Sequence, residues 1–413
     1  LNPTNLSRFV YAFSLFLIEK YGTKNIAIAV GRDGRESGEM FIKIVNDTLS
    51  SNGINVVNIN LNTTPTTQLV IIKKKLQGGI MLTASHNPKN WNALKFFNEK
   101  GEFLSHKDVN KILKIENSDI KSNTNLNDQG KIEDFKGSYD LHINEILNLK
   151  HVNSDIIRKK RFKIVVDGIN SSGGIIIPKL LEALNVEVIK INCIPDGNFA
   201  HDPEPLDKNL DQLKEEVLKS NSDLGIAVDP DVDRLVFVSE NGETISEENT
   251  LISCADYILS KEKGSAVSNL SSSMGLRDVC KMYGVKYFSS MVGEINVVEK
   301  MKSVNAIIGG EGNGGIIYPQ SHYGRDALVG IGLLLTSLAL KNKTISELFE
   351  KLPKYHMLKE KIKIDNDLDF INIKSKLKST FHNFSFNEID GLKIENNSSW
   401  VHIRKSNTEP IIR

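Results

Sequence analysis

Short apolar runs that stop at clusters of glycine or polar residues constrain this chain more than any other feature. The run at 26–30 stops at Gly31-Arg32-Asp33-Gly34-Arg35, and the run at 79–82 stops at Thr83-Ala84-Ser85-His86-Asn87-Pro88. The run at 224–228 stops at Asp229-Pro230-Asp231-Val232-Asp233-Arg234, and Ile307-Ile308 stops at the glycine-rich segment 309–315. Runs so short and so uniformly apolar suit strands covered on both faces. Between them, segments 6–20, 37–52, 64–75, 177–184, 274–282 and 327–340 read as helices, with Ser37 as the cap of the second. Alternation of strand and helix builds βαβ units on a largely parallel sheet. Polar loops at the carboxyl ends of such strands are where open α/β sheets take their ligands.

The alternation recurs three times, as a repetition of pattern rather than of sequence. The expected fold class is therefore α/β: three similar α/β domains (βαβ, mixed sheet) followed by a smaller C-terminal α+β domain. The expected boundaries are 1–135, 136–255, 256–357 and 358–413. The polar stretch 117–134 reads as a surface loop or linker. In the last domain, 361–364 reads as a strand, 370–378 as a helix, and short strands fall near 391–394 and 400–403.

A chain of 413 residues is too long for one core. Its formal charge of +1 leaves no electrostatic footprint for nucleic acid or for a membrane surface. Cys193, Cys254 and Cys280 are odd in number and far apart, which suits buried reduced thiols rather than disulfides or a metal site. The longest apolar stretch, 328–340, is interrupted by Gly330, Gly332, Thr336 and Ser337, so it reads as a core helix and not a membrane span. No secretory leader is visible, and the cytoplasm is the expected location.

Four segments carry chemistry. Ser85 follows a buried strand and is read as a phosphoryl carrier; the competing role is a cap for the following turn, with His86 a surface residue. Lys95 is a candidate general base. Asp229, Asp231 and Asp233 repel one another unless they converge on a hard divalent cation, and magnesium in a catalytic site is preferred. An EF-hand calcium loop closing on Glu240 is disfavoured, because Arg234 stands where that loop needs glycine and 235–238 is strand-like. A solvated acidic loop is the third reading. In the glycine segment, Glu311 and Asn313 are the side chains able to read hydroxyls, unless the segment is only a flexible turn. The stretch 404–410 gathers a guanidinium, two hydroxyls, an amide and backbone N–H groups that suit a phosphate dianion. Its alternative is a helix cap at Ser406 or Thr408. A serine, a cation site, a polyol-reading loop and a phosphate cradle, in that order and one per domain, describe phosphoryl transfer on a phosphorylated sugar.

At these residues the chain resembles the α-D-phosphohexomutase family along essentially its whole length. Thr83-Ala84-Ser85-His86-Asn87-Pro88 with Asn92 and Lys95 is similar to the family's phosphoserine loop, and Asp229, Asp231, Asp233 and Arg234 to its metal loop. Gly310-Glu311-Gly312-Asn313-Gly314 is similar to its sugar loop, and Arg404, Ser406, Asn407 and Thr408 to its phosphate loop. The resemblance implies four domains around a central cleft and Ser85 phosphorylated in the active form. It implies Mg2+ on Ser85, Asp229, Asp231 and Asp233, and a sugar 1,6-bisphosphate as activator. Lys95 or His86 would handle the hydroxyl proton, with Arg32 and Arg234 supporting charge. Glu311, Asn313 and Arg325 would contact the sugar, and Arg404, Ser406, Asn407, Thr408 and Arg413 the phosphate that does not react. Ala93, Pro230, Asn313 and Gly315 depart from the commonest family pattern. Asn313-Gly314-Gly315, Trp91-Asn92-Ala93-Leu94-Lys95 and Tyr323-Gly324-Arg325-Asp326 resemble archaeal-type and Bacteroidetes-type members, often phosphoglucosamine mutases. Measured against the family, the sequence starts after the opening Gly-Ile-Arg-Gly strand and stops within the last strand. An arginine near the serine and one edge of the last domain are therefore expected to be missing. The expected partner is a phosphorylated hexose or hexosamine, and the expected assembly a monomer or homodimer. The alternatives are a phosphomannomutase/phosphoglucomutase, a non-catalytic phosphosugar-binding protein and a phosphatase.

Overall fold

The computed structural model describes residues 1–118, 129–363, 369–405 and 411–413. The first unit holds α1 (Pro3–Tyr21), β1 (Ala27–Arg32), α2 (Gly38–Ser51), β2 (Asn55–Leu61), α3 (Thr64–Lys74), β3 (Gly78–Leu82), β4 (Leu94–Phe97), α4 (His106–Glu116) and β5 (Ile132–Asp134). The second holds α5 (Ser138–Leu147), α6 (Ser154–Lys160), β6 (Lys163–Asp167), α7 (Gly173–Ala183), β7 (Glu187–Ile191), α8 (Asp211–Ser220), β8 (Leu224–Val228), β9 (Leu235–Ser239) and β10 (Thr244–Ile245). The third holds α9 (Glu247–Lys261), β11 (Ala266–Asn269), α10 (Gly275–Met282), β12 (Tyr287–Ser290), α11 (Glu294–Ser303), β13 (Ile308–Glu311), β14 (Gly315–Ile317), α12 (Ala327–Lys341) and α13 (Ile345–Phe349).

The three sheets share one plan. Their orders are β4-β3-β1-β2-β5, β10-β9-β8-β6-β7 and β12-β11-β13-β14. In each, the first strand in sequence (β1, β6, β11) pairs in parallel on both sides. One of those partners (β3, β8, β13) then turns back into an antiparallel strand (β4, β9, β14). The sheets are therefore mixed, as expected, with the antiparallel pairing confined to the hairpin strands. The hairpin connections β3–β4, β8–β9 and β13–β14 are the serine, aspartate and glycine loops. Three equivalent hairpins in three sheets of one plan thus carry the candidate site residues.

Apolar residues place the layers. α1, α2 and α4 cover one face of the first sheet around Phe13, Val45 and Ile80, and α3 covers the other around Val70 and Ile71. One larger cluster fills the space between the second and third sheets, joining α5, α7, α9 and α12. α12 is buried without interruption from Ala327 to Leu338, so it is the expected core helix. Among the described residues no helix is long and apolar enough to cross a membrane. The three cysteines are free; Cys254 and Cys280 are buried, whereas Cys193 is only half-buried.

Two local expectations change. Ser37 makes no capping hydrogen bond to α2. Its Oγ instead accepts from Asn92 Nδ2 at 3.0 Å, which ties the helix to the serine loop. The stretch 117–134 is not all loop, because Ile132–Asp134 adds β5 as a parallel edge beside β2; residues 119–128 of that stretch lie outside the described residues. The last domain has β15 (Ile362–Lys363), α14 (Phe370–Thr380), β16 (Ser385–Asn387), β17 (Leu392–Glu395), β18 (Trp400–Ile403) and β19 (Ile411–Ile412). β16, β17 and β18 form an antiparallel sheet, and β15 pairs with β19. Ile364, the expected end of the first of these strands, lies outside the described residues.

Candidate active site

The serine loop is held in an unusual shape from below. Ser85 has φ +47°, a left-handed conformation that costs a non-glycine residue about 1 kcal/mol. Its N–H donates to Thr83 Oγ1 (2.9 Å), and its carbonyl accepts from Arg35 Nη2 (2.6 Å). Arg35 is fully buried and uses all five guanidinium donors. Four go to the carbonyls of Ser85, Asn87, Pro88 and Trp91, and Nε goes to Asp33 Oδ2. Asp33 also accepts from Thr83 Oγ1 at 2.7 Å. Arg32, expected to support charge in the site, bonds instead to Asn60 Oδ1, the Asp33 carbonyl and Glu39. The glycine-flanked turn offers both guanidiniums, and only the burial of Arg35 under the loop distinguishes them.

Ser85 Oγ donates to Asp229 Oδ2 at 2.8 Å, across 144 positions of sequence. One oxygen from each of Asp229, Asp231 and Asp233 lies within 4.8 Å of the others, and all three residues are buried. Val232, between Asp231 and Asp233, has φ +64°, a second strained non-glycine residue in these hairpin loops. Lys95 Nζ, on β4, reaches Asp231 Oδ2 (2.6 Å) and Asp233 Oδ2 (2.9 Å). Thr64 Oγ1 also donates to Asp231 Oδ2. These donors do not satisfy the cluster: Asp231 Oδ1 and Asp233 Oδ1 are buried and have no hydrogen-bond partner. Orphaned carboxylate oxygens converging in one loop fit a hard cation. The calcium alternative fails on geometry, since β9 replaces the required helix and Glu240 bonds to the Ser346 backbone and hydroxyl.

The electrostatics follow from this crowding. Burial, with Asp233 and Asp231 beside it, pushes Asp229 well above the usual carboxylate range. Burial would raise Asp233 too, but Arg325 and Lys95 hold it below that range. Burial would lower Lys95, yet Asp231 and Asp233 keep it a firmly protonated cation. His86 is pushed down to about 4, first by burial and then by the Arg234 guanidinium. It is therefore a neutral imidazole, with Nδ1 3.5 Å from Ser85 Oγ. Arg234 Nη1 pairs with Glu204 at 2.8 Å.

Arg325 joins the aspartate loop to the glycine loop. Its Nε, Nη1 and Nη2 donate to Glu294 (2.9 Å), Glu311 (2.8 Å) and Asp233 (2.7 Å). Glu311 Oε1 accepts from Asn269 Nδ2 (2.7 Å) and Gly293 N (3.0 Å). Asn313 Oδ1 accepts from Gly315 N at 3.2 Å. The glycines serve the protein before any ligand. A Cβ at Gly312 would stand 1.9 Å from Glu248 Oε1, and one at Gly314 (φ +88°) would stand 2.5 Å from the Leu235 carbonyl.

Residues 1–122, 140–242 and 246–355 match the three families described as "Phosphoglucomutase/phosphomannomutase, alpha/beta/alpha domain" I, II and III. The chain belongs to the phosphoglucomutase/phosphomannomutase family. It is 34% identical over 401 residues to the phosphoglucomutase/phosphomannomutase of Thermococcus kodakarensis, covering 96% of this chain and 87% of that protein. To the phosphoglucosamine/phosphogalactosamine mutase of Sulfurisphaera tokodaii it is 33% identical over 402 residues, with 94% and 87% covered. A phosphoglucomutase/phosphomannomutase family structure from Burkholderia thailandensis superposes with a TM-score of 0.86 at 24% identity, covering 100% of this chain and 88% of that one. That last likeness speaks for the fold.

Within this member of the phosphoglucomutase/phosphomannomutase family, the last domain contributes less that can be described. Arg404 Nη1 lies 3.6 Å from Asp390 Oδ2, and its backbone pairs with that of Arg413. Ser406, Asn407 and Thr408 lie outside the described residues. So the structure brings together Ser85, His86, Lys95, Asp229, Asp231, Asp233, Arg325 and Glu311, and it turns Arg32 toward Asn60 and Glu39. Sequence reasoning missed Arg35, Asn269, Glu294 and Glu248.

Glu248, at the start of α9, accepts from Ser273 N through Oε2 (2.8 Å), while Oε1 has no partner. Burial pushes its carboxyl up to about 7, partly opposed by the Ser273 N–H. The unfolded carboxyl titrates near 4.3, so the folded chain keeps a proton that the unfolded chain has lost. This carboxyl therefore withdraws stability as pH rises from about 4.3 through 7, to a total of roughly 4 kcal/mol. Glu248→Gln is expected to melt like the wild type at pH 4 and well above it at pH 8. Melting midpoints across pH check this, and parallel curves for the two proteins refute it.

Proposed function

We propose that this chain is a magnesium-dependent phosphoglucosamine mutase that interconverts glucosamine 6-phosphate and glucosamine 1-phosphate. The observation that carries the mutase reading is the hydrogen bond between Ser85 Oγ and Asp229 of the aspartate cluster, at 2.8 Å. It sets a carrier hydroxyl against the only group of described residues with metal-ligand geometry. Ser85, phosphorylated, donates its phosphoryl group to one hydroxyl of the monophosphosugar. The resulting 1,6-bisphosphate turns around, and the other phosphate returns to Ser85. Free sugar 1,6-bisphosphate would prime an unphosphorylated serine, as an activator. Mg2+ held by Asp229, Asp231 and Asp233 with Ser85 would offset charge on the transferring group.

The chain's own side chains divide the remaining work. Arg35 keeps the serine loop raised. Lys95 stays cationic between Asp231 and Asp233, so His86, a neutral imidazole 3.5 Å from Ser85 Oγ, is the better acceptor of the hydroxyl proton. Arg234 and Arg325 supply positive charge on either side. Glu311 and Asn313 read the sugar. Arg404, with Ser406, Asn407, Thr408 and Arg413, would hold the phosphate that does not react.

Two considerations favour an amino sugar: several relatives of 30–34% identity are described as probable phosphoglucosamine mutases, and Glu311, Glu294 and Asp233 crowd one guanidinium, leaving the region anionic. The Thermococcus relative favours the second reading, a phosphoglucomutase/phosphomannomutase. Comparing kcat/KM for glucosamine, glucose and mannose 6-phosphates decides between them. Preference for glucosamine by about tenfold or more is expected, as lost pairing of a buried carboxylate costs 1–3 kcal/mol. A preference for mannose overturns the amino-sugar reading.

A further inference from the structure

The last domain reaches the sugar loop by two hydrogen-bonded routes that end on the same atom. In the first, His402 Nε2 meets the Asp390 carbonyl at 2.6 Å, and Nδ1 meets Ser271 Oγ at 2.8 Å. A carbonyl only accepts, so Nε2 carries the hydrogen and Nδ1 of the neutral ring accepts from the Ser271 hydroxyl. Ser271 N then donates to Asn269 Oδ1 (3.0 Å), and Asn269 Nδ2 donates to Glu311 Oε1 (2.7 Å). In the second, Val292 N donates to Asp390 Oδ2 (2.9 Å), and the next residue, Gly293, donates its N–H to Glu311 Oε1 (3.0 Å). Both donors to that oxygen are therefore anchored on Asp390 and its neighbour in space, His402.

Arg404 shares this anchor. Its Nη1 stands 3.6 Å from Asp390 Oδ2, an ion pair too long to be a hydrogen bond. A phosphate dianion offers a guanidinium stronger, bidentate contacts than this one. Drawn to a phosphate, Arg404 leaves Asp390 Oδ2 to Val292 N alone, and the turn that feeds Glu311 is held more tightly.

We propose that Asp390 and His402 are positioning residues that seat Glu311 Oε1 from the last domain, so that phosphate capture at Arg404 and sugar reading at Glu311 are coupled. The inference rests on the phosphosugar reading of the cleft. A carboxylate that merely stabilised the fold would leave ligand affinity alone once the chain had folded. Asp390 acts through Glu311, so its loss is felt only while Glu311 is intact.

Calorimetric titration of the full chain with glucosamine 6-phosphate tests this as a double-mutant cycle. Asp390→Ala is expected to weaken binding about tenfold in the wild-type background and less than about twofold in a Glu311→Gln background. Asp390→Asn keeps an acceptor for Val292 N and is expected to recover most of the affinity. Melting midpoints confirm that each variant is folded. Equal weakening in both backgrounds, or no weakening in either, overturns the coupling while leaving the phosphosugar reading intact. A folded wild-type chain that binds and turns over none of the three sugar phosphates overturns both.

Discussion

Ser85→Ala is expected to abolish mutase turnover, lowering kcat by about 10⁴-fold or more, while leaving sugar-phosphate affinity within a few-fold. The size of the effect follows from covalent catalysis. The neighbouring hydroxyls are already engaged: Thr64 Oγ1 donates to Asp231 and sits against Lys95, Thr83 Oγ1 donates to Asp33, and those of Ser171 and Ser172 donate to the Pro230 carbonyl. The fold is not at risk. Alanine adopts the left-handed backbone at Ser85 at similar cost, and the bonds that enforce it come from Thr83 and Arg35 rather than from the serine side chain. Intact mass after incubation with sugar 1,6-bisphosphate provides the direct check. The wild type is expected to gain one phosphoryl group and the variant none; phosphate on the variant, or residual turnover, refutes the carrier role.

Removing divalent metal is the second large effect. Chelation is expected to lower turnover by about 10³-fold, and added Mg2+ to restore it. It is also expected to lower the melting midpoint, because binding at about 100 times Kd contributes roughly 2.7 kcal/mol. The physical source is visible in the cluster. Three buried carboxylates face Lys95 and Arg325, yet Asp231 Oδ1 and Asp233 Oδ1 remain without donors. Asp231→Asn is expected to lose the thermal response to Mg2+ together with activity. Melting with and without Mg2+ reads the first, and coupled turnover the second. A midpoint indifferent to Mg2+ in the wild type would remove the metal from the mechanism.

The helices and the parallel strands were legible because each depends on its own stretch of sequence. The apolar spacing of 6–20 is enough to draw α1, and the uninterrupted burial of β3 and β8 shows in their composition. β4 was not legible. Leu94–Phe97 is four residues long, half-buried, and follows directly on the serine motif. Its pairing with β3 makes it a strand, and that pairing also puts Lys95 opposite Met81, within reach of Asp231 and Asp233. β5 was hidden for a similar reason: three exposed residues gain strand character only from β2.

By itself, the sequence determined which chemistry is present: a serine after a buried strand, three alternating aspartates, a glycine loop with one carboxylate, and a basic segment. Those are short-range facts, set by residue type and spacing. Tertiary structure alone decided what each group meets. It chose Arg35 over Arg32 to hold the serine loop, because only Arg35 is buried beneath it. It gave Arg325 three carboxylates from three separate segments, and it set Ser85 on Asp229 across 144 residues. Hydrogen bonds act over about 3 Å in space and carry no memory of separation along the chain. The three sheets bring those partners together, since each presents its loop at the equivalent hairpin.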